Sequence, residues 1–135
     1  MIINKRYTIS DMVNMRFYKM PKFLFSPEYE KLSNNSKLLY MLLLDRLELS
    51  LKNNWVNEDG EVYIKYSRSN MCNELRLSRP TITNSMKELV IYNLLQEEVM
   101  TSEYGRAANR IYLLTINLNH GTTEEVSNMF REHGV

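Results

Sequence analysis

Asn84 and Lys87, with Thr83 beside them and Arg79 and Thr81 a turn earlier, are the densest set of groups in this chain that can do chemistry. The chemistry is recognition of a polyanion with readable edges. Asparagine pairs bidentately with adenine, threonine hydrogen-bonds a base or touches the thymine methyl, and arginine prefers guanine or a phosphate. Their spacing is helical. Ser78 is a good N-cap, because its hydroxyl can accept from a backbone N–H of the first turn, and Pro80 sits where a missing N–H costs nothing. Ile82, Met86, Leu89 and Val90 repeat at the three-and-four spacing of one buried face. Thr83, Asn84 and Lys87 then share the opposite face, while Arg79 and Thr81 project from the N-terminal end. The competing reading is an ordinary solvated helix face.

The flanking residues favour recognition. Arg68–Leu75 places Met71, Cys72 and Leu75 on one stripe, with Ser67 or Ser69 as cap, and the turn Arg76-Leu77-Ser78 brings Leu77 inward. Two short helices around a tight turn form a helix-turn-helix, whose second helix enters the major groove with its N-terminal residues at the base edges. From Lys65 to Lys87 there are five basic residues and one acid, Glu74, a local +4 in a chain whose formal charge is +1. Such concentration matches a localised anionic partner, although chance clustering on a solvated face produces the same count.

Downstream, Asn93–Met100 begins as a strand and Asn109–Ile116, rich in β-branched and aromatic residues, continues as one. The polar loop Thr101–Ala108, with Gly105 at its tip, is the expected wing of a winged helix. Tyr104, Arg106 and Arg110 would lie along the phosphate backbone, or Arg106 would enter a minor groove. Plain solvation competes here, since loop tips are polar for many reasons. The expected DNA contacts are therefore Arg68, Ser78, Arg79, Thr81, Thr83, Asn84 and Lys87, with Tyr104, Arg106 and Arg110 from the wing.

These elements need a scaffold, and 135 residues suffice for one domain with a real core. A hydrophobic content of 44% with 24% charged residues describes a globular protein rather than a disordered one. No segment approaches the roughly 18 uncharged apolar residues of a membrane span, and Met1–Arg6 is too short in apolar run for a secretion signal. The single cysteine, Cys72, excludes an internal disulfide and fits a cytoplasmic location; it reads as a small core residue. His120 and His133 show no ligand spacing, no glycine loop cradles phosphate, and pairs such as Glu97-Glu98 and Glu124-Glu125 read as solvated surface. Neither an enzyme nor a cofactor or metal site is expected.

Residues 1–15 read as a polar arm, 16–118 as the winged-helix domain, and 119–135 as a tail or the start of a linker. Arg16–Phe25, broken by Pro21, suggests an extended segment packed on the domain, and Ser26-Pro27 a capped turn. The longest helix is expected at about Ser36–Lys52. Its run Leu38–Leu44 is apolar on every face, so it must be covered on several sides, by core and by a subunit interface. Trp55 could pin the turn that follows, and Glu61–Tyr66 alternates as a strand. Thr122 with Glu125 forms a capping box before Val126, Met129 and Phe130. The fold class is α+β: a winged helix-turn-helix, mostly helical, with a small antiparallel sheet, a β-hairpin wing and an extended N-terminal arm.

Four segments, Phe17–Phe25, Leu32–Tyr40 leading into Leu44-Asp45-Arg46 and on to Leu49-Ser50, Trp55–Tyr63, and the Ser78–Leu89 helix, also carry a family likeness. From about Arg16 to Val99 the chain resembles the N-terminal domain of the RepA-type replication initiators of plasmids from Gram-positive bacteria. The resemblance implies a winged-helix domain that binds repeated double-stranded sequences in a plasmid origin, as a homodimer, with bridging of two origins as copy control. Because that family's full initiators extend further C-terminally, the chain is expected to be their DNA-binding portion, with replisome partners met through regions outside it. Two other functions fit the residues alone: a winged-helix transcription regulator, since fold does not fix function, and a module whose helix surface docks a replisome protein. Apolar surplus in Phe17–Phe25 and Leu38–Leu44 independently suggests a homodimer, which suits repeated half-sites.

Overall fold

Thr8 opens the first helix, α1 (Ile9–Asn14), because its N–H and its hydroxyl both meet the Asp11 carboxylate, at 2.8 and 2.9 Å. The computed structural model describes residues 4–102, 104–106 and 109–116, Ser102 and Arg106 by their backbone. The arm expected to be extended thus contains a short helix; the Thr8–Asp11 pair is a capping-box signal that its polar composition masked. Nothing of α1 is buried. The next segment is only partly packed. Phe23 and Leu24 enter the core from a 3-10 turn at Lys22–Phe25, but Phe17, Tyr18 and Phe25 stay exposed, contrary to the expected packing of the whole segment. Tyr18 instead hydrogen-bonds Glu74 through its hydroxyl at 3.2 Å. A second 3-10 turn, Pro27–Tyr29, follows Ser26.

The central helix α2 (Asn34–Lys52) starts two residues before Ser36, because Ser33 is the cap and its hydroxyl accepts the Ser36 N–H. Leu39, Leu42 and Leu43 are fully buried, and each such side chain contributes roughly 1.5–3 kcal/mol. Burial is not all-round: Leu38 is at the surface and Leu51 is 62% exposed, while Ser36, Lys37 and Ser50 lie inside. Lys37 keeps its ammonium over the Phe25 ring, 4.5 Å from the centroid.

Helices α3 (Arg68–Leu75) and α4 (Arg79–Ile91) are joined by Arg76-Leu77-Ser78. Arg76 takes the left-handed conformation, φ 57°, so that the Leu77 N–H returns to the Cys72 carbonyl and closes α3. Leu77 packs on the core from the turn, and Cys72 is half-buried against it rather than enclosed. The α4 core face is Ile82, Ser85, Met86 and Leu89. Val90 is 45% exposed, since it stands a quarter-turn from that face, and buried Ser85 takes the position expected of it.

After α4, Asn93 adopts φ 58° and the chain enters β1 (Leu95–Glu98), then β2 (Thr101–Ser102), β3 (Gly105–Arg106) and β4 (Arg110–Leu113). β1 pairs antiparallel with β4, Leu95 opposite Leu113 and Glu98 opposite Arg110, and β2 with β3 makes the hairpin tip. Gly105, at φ 116°, holds a conformation there that a side chain would oppose. The expected strand Glu61–Tyr66 is reduced to isolated bridges: Ile64 exchanges both backbone bonds with Ile111, at 2.7 and 3.0 Å, and Val62 pairs with Val56. The architecture is a winged helix. The helix expected around Val126–Phe130 lies outside the described residues.

Candidate nucleic-acid interface

Two N-caps aim the helix-turn-helix. Ser67 accepts the Asn70 N–H and starts α3, and Ser78 accepts the Thr81 N–H and starts α4. The Ser78 and Thr81 hydroxyls also bond each other at 2.8 Å, so both candidates are engaged in capping. Arg79, at the first position of α4, reaches back to the Ser69 hydroxyl at 3.4 Å and remains exposed.

Along α4 the solvent side holds Asn84 and Lys87, both exposed, with Thr83 half-buried at its flank. Ile91, 76% exposed, and Val90 extend this side as an apolar end. Arg68 leaves α3 towards the sheet and meets Glu97 of β1 at 3.2 Å, with side-chain exposures of 28% and 22%. Arg68, Lys87 and Glu97 line one shallow groove between α4 and the sheet.

Alternation along the strands divides the wing candidates. Leu95, Glu97, Ile111 and Leu113 share the face towards the helices, while Gln96, Glu98, Arg110 and Tyr112 share the other. Arg110 therefore stands on the sheet face opposite Arg68. Its guanidinium lies over Tyr63, 4.4 Å from the centroid, and a hydrogen bond with the Tyr112 hydroxyl pushes its pKa upward despite desolvation. Glu58, Asp59 and Glu98 surround the same hollow, so this face is acidic. Tyr104 is 91% exposed between β2 and β3, and the Arg106 backbone lies in β3 opposite Thr101. The structure thus gathers Arg68, Ser78, Arg79, Thr81, Thr83, Asn84 and Lys87 around the helix-turn-helix and sets Arg110 apart.

A second basic feature draws one of its cations from outside the stretch where charge concentrates. Arg46 of α2, Arg68 and Arg79 line one cleft beside the start of α3, with Glu97 the only acid among its described lining residues; Lys65 borders it, but its ammonium turns to the Trp55 and Tyr63 rings. Arg46 stacks on Tyr66, 4.3 Å from the centroid, and its Nε is buried without a hydrogen-bond partner, as is Oδ1 of Asn109, another lining residue. In the sequence Arg46 is one charge on a core helix, and only tertiary packing brings it here. Among the described residues no group of His, Cys, Asp or Glu is arranged to hold a metal, and no helix is long and apolar enough to cross a membrane.

Comparison with known proteins agrees with this geometry. Residues 16–128 match the family described as the replication initiator protein A (RepA) N-terminus. The chain is 32% identical over 93 residues to a "41 kDa protein" of Lactobacillus helveticus, 68% of this chain but only 26% of that protein, so it spans about a quarter of its relative. Among solved structures it is similar to "N-Terminal domain of DNA binding protein" (31% identity, 98% of both chains, TM-score 0.69). It is also similar to "Structure of Rep-DNA complex" (31%, 97% of this chain and 98% of the other, 0.66) and "Structure of MDR initiator" (30%, 95% and 98%, 0.63).

Proposed function

Because the chain belongs to the replication initiator protein A (RepA) N-terminus family, we propose that it is the sequence-specific, double-stranded DNA-binding portion of a plasmid replication initiator. It binds repeats in the plasmid origin, works in the cytoplasm and is not itself an enzyme. Homodimers place two helix-turn-helix units on repeated sites, and bridging of two origins supplies copy control. Replisome proteins are met through regions beyond this chain.

One observation carries the reading: the exposed Asn84 and Lys87 on the outer side of α4, opposite its buried Ile82, Met86 and Leu89, in the stretch where charge concentrates to +4. Asn84 reads a base edge, Lys87 a phosphate, and Arg79 the groove at the start of the helix. The similarity to the solved Rep-DNA complex supports the same partner. Exposed Phe17 and Phe25 support self-association.

Titration of the chain with a duplex carrying its own plasmid's origin repeats, against a scrambled duplex at two salt concentrations, tests this. Preference for the repeat duplex at both salts is expected. Equal affinity for the two duplexes rejects sequence-specific origin binding.

A further inference from the structure

The outward stripe of α4 ends in an aliphatic side chain. At about 100° per residue, Ile91 stands about 20° from Asn84 and about 40° from Lys87, so the three share the side away from Ile82, Ser85, Met86 and Leu89. Ile91 is 76% exposed. Its backbone is nonetheless held: the Tyr92 N–H reaches the Glu88 carbonyl at 3.0 Å, the Leu94 N–H reaches the Leu89 carbonyl at 2.9 Å, and the Tyr92 ring lies 6.1 Å from that of Tyr29. A single exposed isoleucine is ordinary, but this one has neighbours. With Val90, 45% exposed, and Met86 it forms the apolar wall of the groove between α4 and the sheet, which Arg68 and Lys87 also line. Glu97, the only acid among the described lining residues, is engaged by Arg68.

We infer that Ile91 is a specificity-determining residue that packs on the C5 methyl of a thymine in the major groove. The inference rests on the duplex-binding reading above and adds a second base to the one read by Asn84. The thymine methyl is the one methyl group that unmodified base pairs display in that groove. It lies between two rows of phosphates, and an aliphatic tip beside Lys87 and Arg68 complements both the methyl and the charge around it. Ile91 is seven residues beyond Asn84, about 10.5 Å along the helix axis, or about three base-pair steps at roughly 3.4 Å each. A recognition helix laid along the groove reads with positions spread over several turns, as the third helix of a homeodomain does. Asn84 then hydrogen-bonds one base edge, and Ile91 gives apolar contact to another. A second copy of this chain suits the patch less well, because a two-fold contact would bring the Arg68 and Lys87 of both copies together.

The test uses the whole chain and a duplex that the wild type selects from a pool of randomised sequence. Each thymine of that duplex is replaced in turn by deoxyuridine, which removes the methyl and keeps every hydrogen-bonding group. Wild-type binding should fall about 4-fold at one thymine, the effect of returning one apolar carbon to water. That thymine should lie about three base pairs from the position where Asn84→Ala relaxes the preference. Ile91→Ala should bind the selected duplex more weakly, keep the wild-type salt slope and no longer distinguish thymine from deoxyuridine there. Ile91→Leu and Asn84→Ala should both still distinguish them. Because Ile91 is exposed, its variants should melt like the wild type. Insensitivity of the wild type to deoxyuridine at every thymine, with the selected duplex still preferred over a scrambled one, overturns the methyl contact and spares sequence-specific binding. A methyl penalty that Ile91→Ala leaves intact overturns the assignment of Ile91. Should Ile91→Ala instead abolish self-association in sedimentation while the penalty persists, the patch is a contact between copies and the inference fails. Absence of any preference over the scrambled duplex removes sequence-specific reading altogether, and the methyl contact with it.

Discussion

The Glu88 carboxylate accepts the backbone N–H of Ser33 at 2.5 Å, so α4 holds the N-terminus of the central core helix. This is a capping box built from two helices, with Ser33 capping its own helix and the reciprocal carboxylate supplied by α4. The orientation of Asn84, one turn earlier on α4, is tied through it to the core.

Acid should loosen that tie. Partial burial opposes the Glu88 charge, but the Ser33 N–H and the Ser33 and Ser36 hydroxyls outweigh it and hold the carboxyl below its ordinary 4.5. A depressed folded value means that the stabilisation is complete above 4.5 and is lost as pH falls through the lower folded value. Since the carboxyl is largely solvated, the effect is under about 1 kcal/mol. Urea titrations of wild type and Glu88→Gln should differ near neutrality and converge in acid. A gap that stays constant across pH would remove the charge from this contact.

Ser78 should matter to folding more than to binding. Its hydroxyl meets the Thr81 N–H and the Thr81 hydroxyl, so Ser78→Ala should cost about 1 kcal/mol and lower the melting temperature by several degrees. Ser78→Gly should cost a few tenths of that. Well below the melting temperature, both variants should bind duplex with the wild-type salt slope. A flattened slope with unchanged melting would instead make Ser78 a phosphate contact.

Asn84 and Lys87 should separate by the kind of binding they lose. Asn84→Ala should cost about 1–3 kcal/mol and relax preference at one base pair. Lys87→Ala should weaken all sequences alike and flatten the salt slope by about 0.9. Competition titrations with single-position duplex variants distinguish them, and unchanged binding in the double variant would displace DNA from this side of α4.

What the sequence makes legible is whatever local spacing dictates. The three-and-four repeat through Ile82, Met86 and Leu89 and the caps at Ser67 and Ser78 give the helix-turn-helix, and Gly105 marks the wing tip. Three features depend on partners distant in sequence. Glu61–Tyr66 alternates like a strand, but Ile64 finds one paired neighbour, Ile111, so a bridge forms in place of a ladder. Leu38 and Leu51 extend an apolar run, yet both stay exposed on α2, and serines line the core beside the leucines. Arg46 reaches the cleft from a helix whose pattern speaks only of packing. Arg110 shows the same limit: strand parity, set by the Leu95–Leu113 register, puts it among acids on the other face of the sheet.

Glu97 restrains the positive surface it borders. It holds Arg68 and stands in both the cleft and the groove beside Lys87. Glu97→Gln removes an anion from that surface and releases Arg68 to a phosphate. Duplex affinity should rise, selected and scrambled alike, with a steeper salt slope, while the loss of a partly exposed ion pair costs under about 1 kcal/mol of stability. Weaker binding in Glu97→Gln would mean that the carboxylate orients Arg68 for its contact.

Self-association should be readable in the N-terminal segment. Ile9, Val13, Phe17 and Phe25 are each at least 66% exposed, and α1 buries nothing of its own. A six-residue helix with no covered face is far below the length that is stable alone in water, so the proposed homodimer gives these side chains the cover that a single chain does not. Sedimentation at micromolar concentration should give a dimer, and Phe17→Asp or Val13→Asp should shift it to monomer without lowering the melting temperature of the body, whose core of Leu24, Leu39 and Leu43 they do not touch. Repeat binding by such a monomer should lose cooperativity between half-sites and keep the base preference set by Asn84. If both substitutions leave the dimer intact, the contact lies elsewhere, and the exposed end of α4 at Val90 and Ile91 becomes the surface to substitute next.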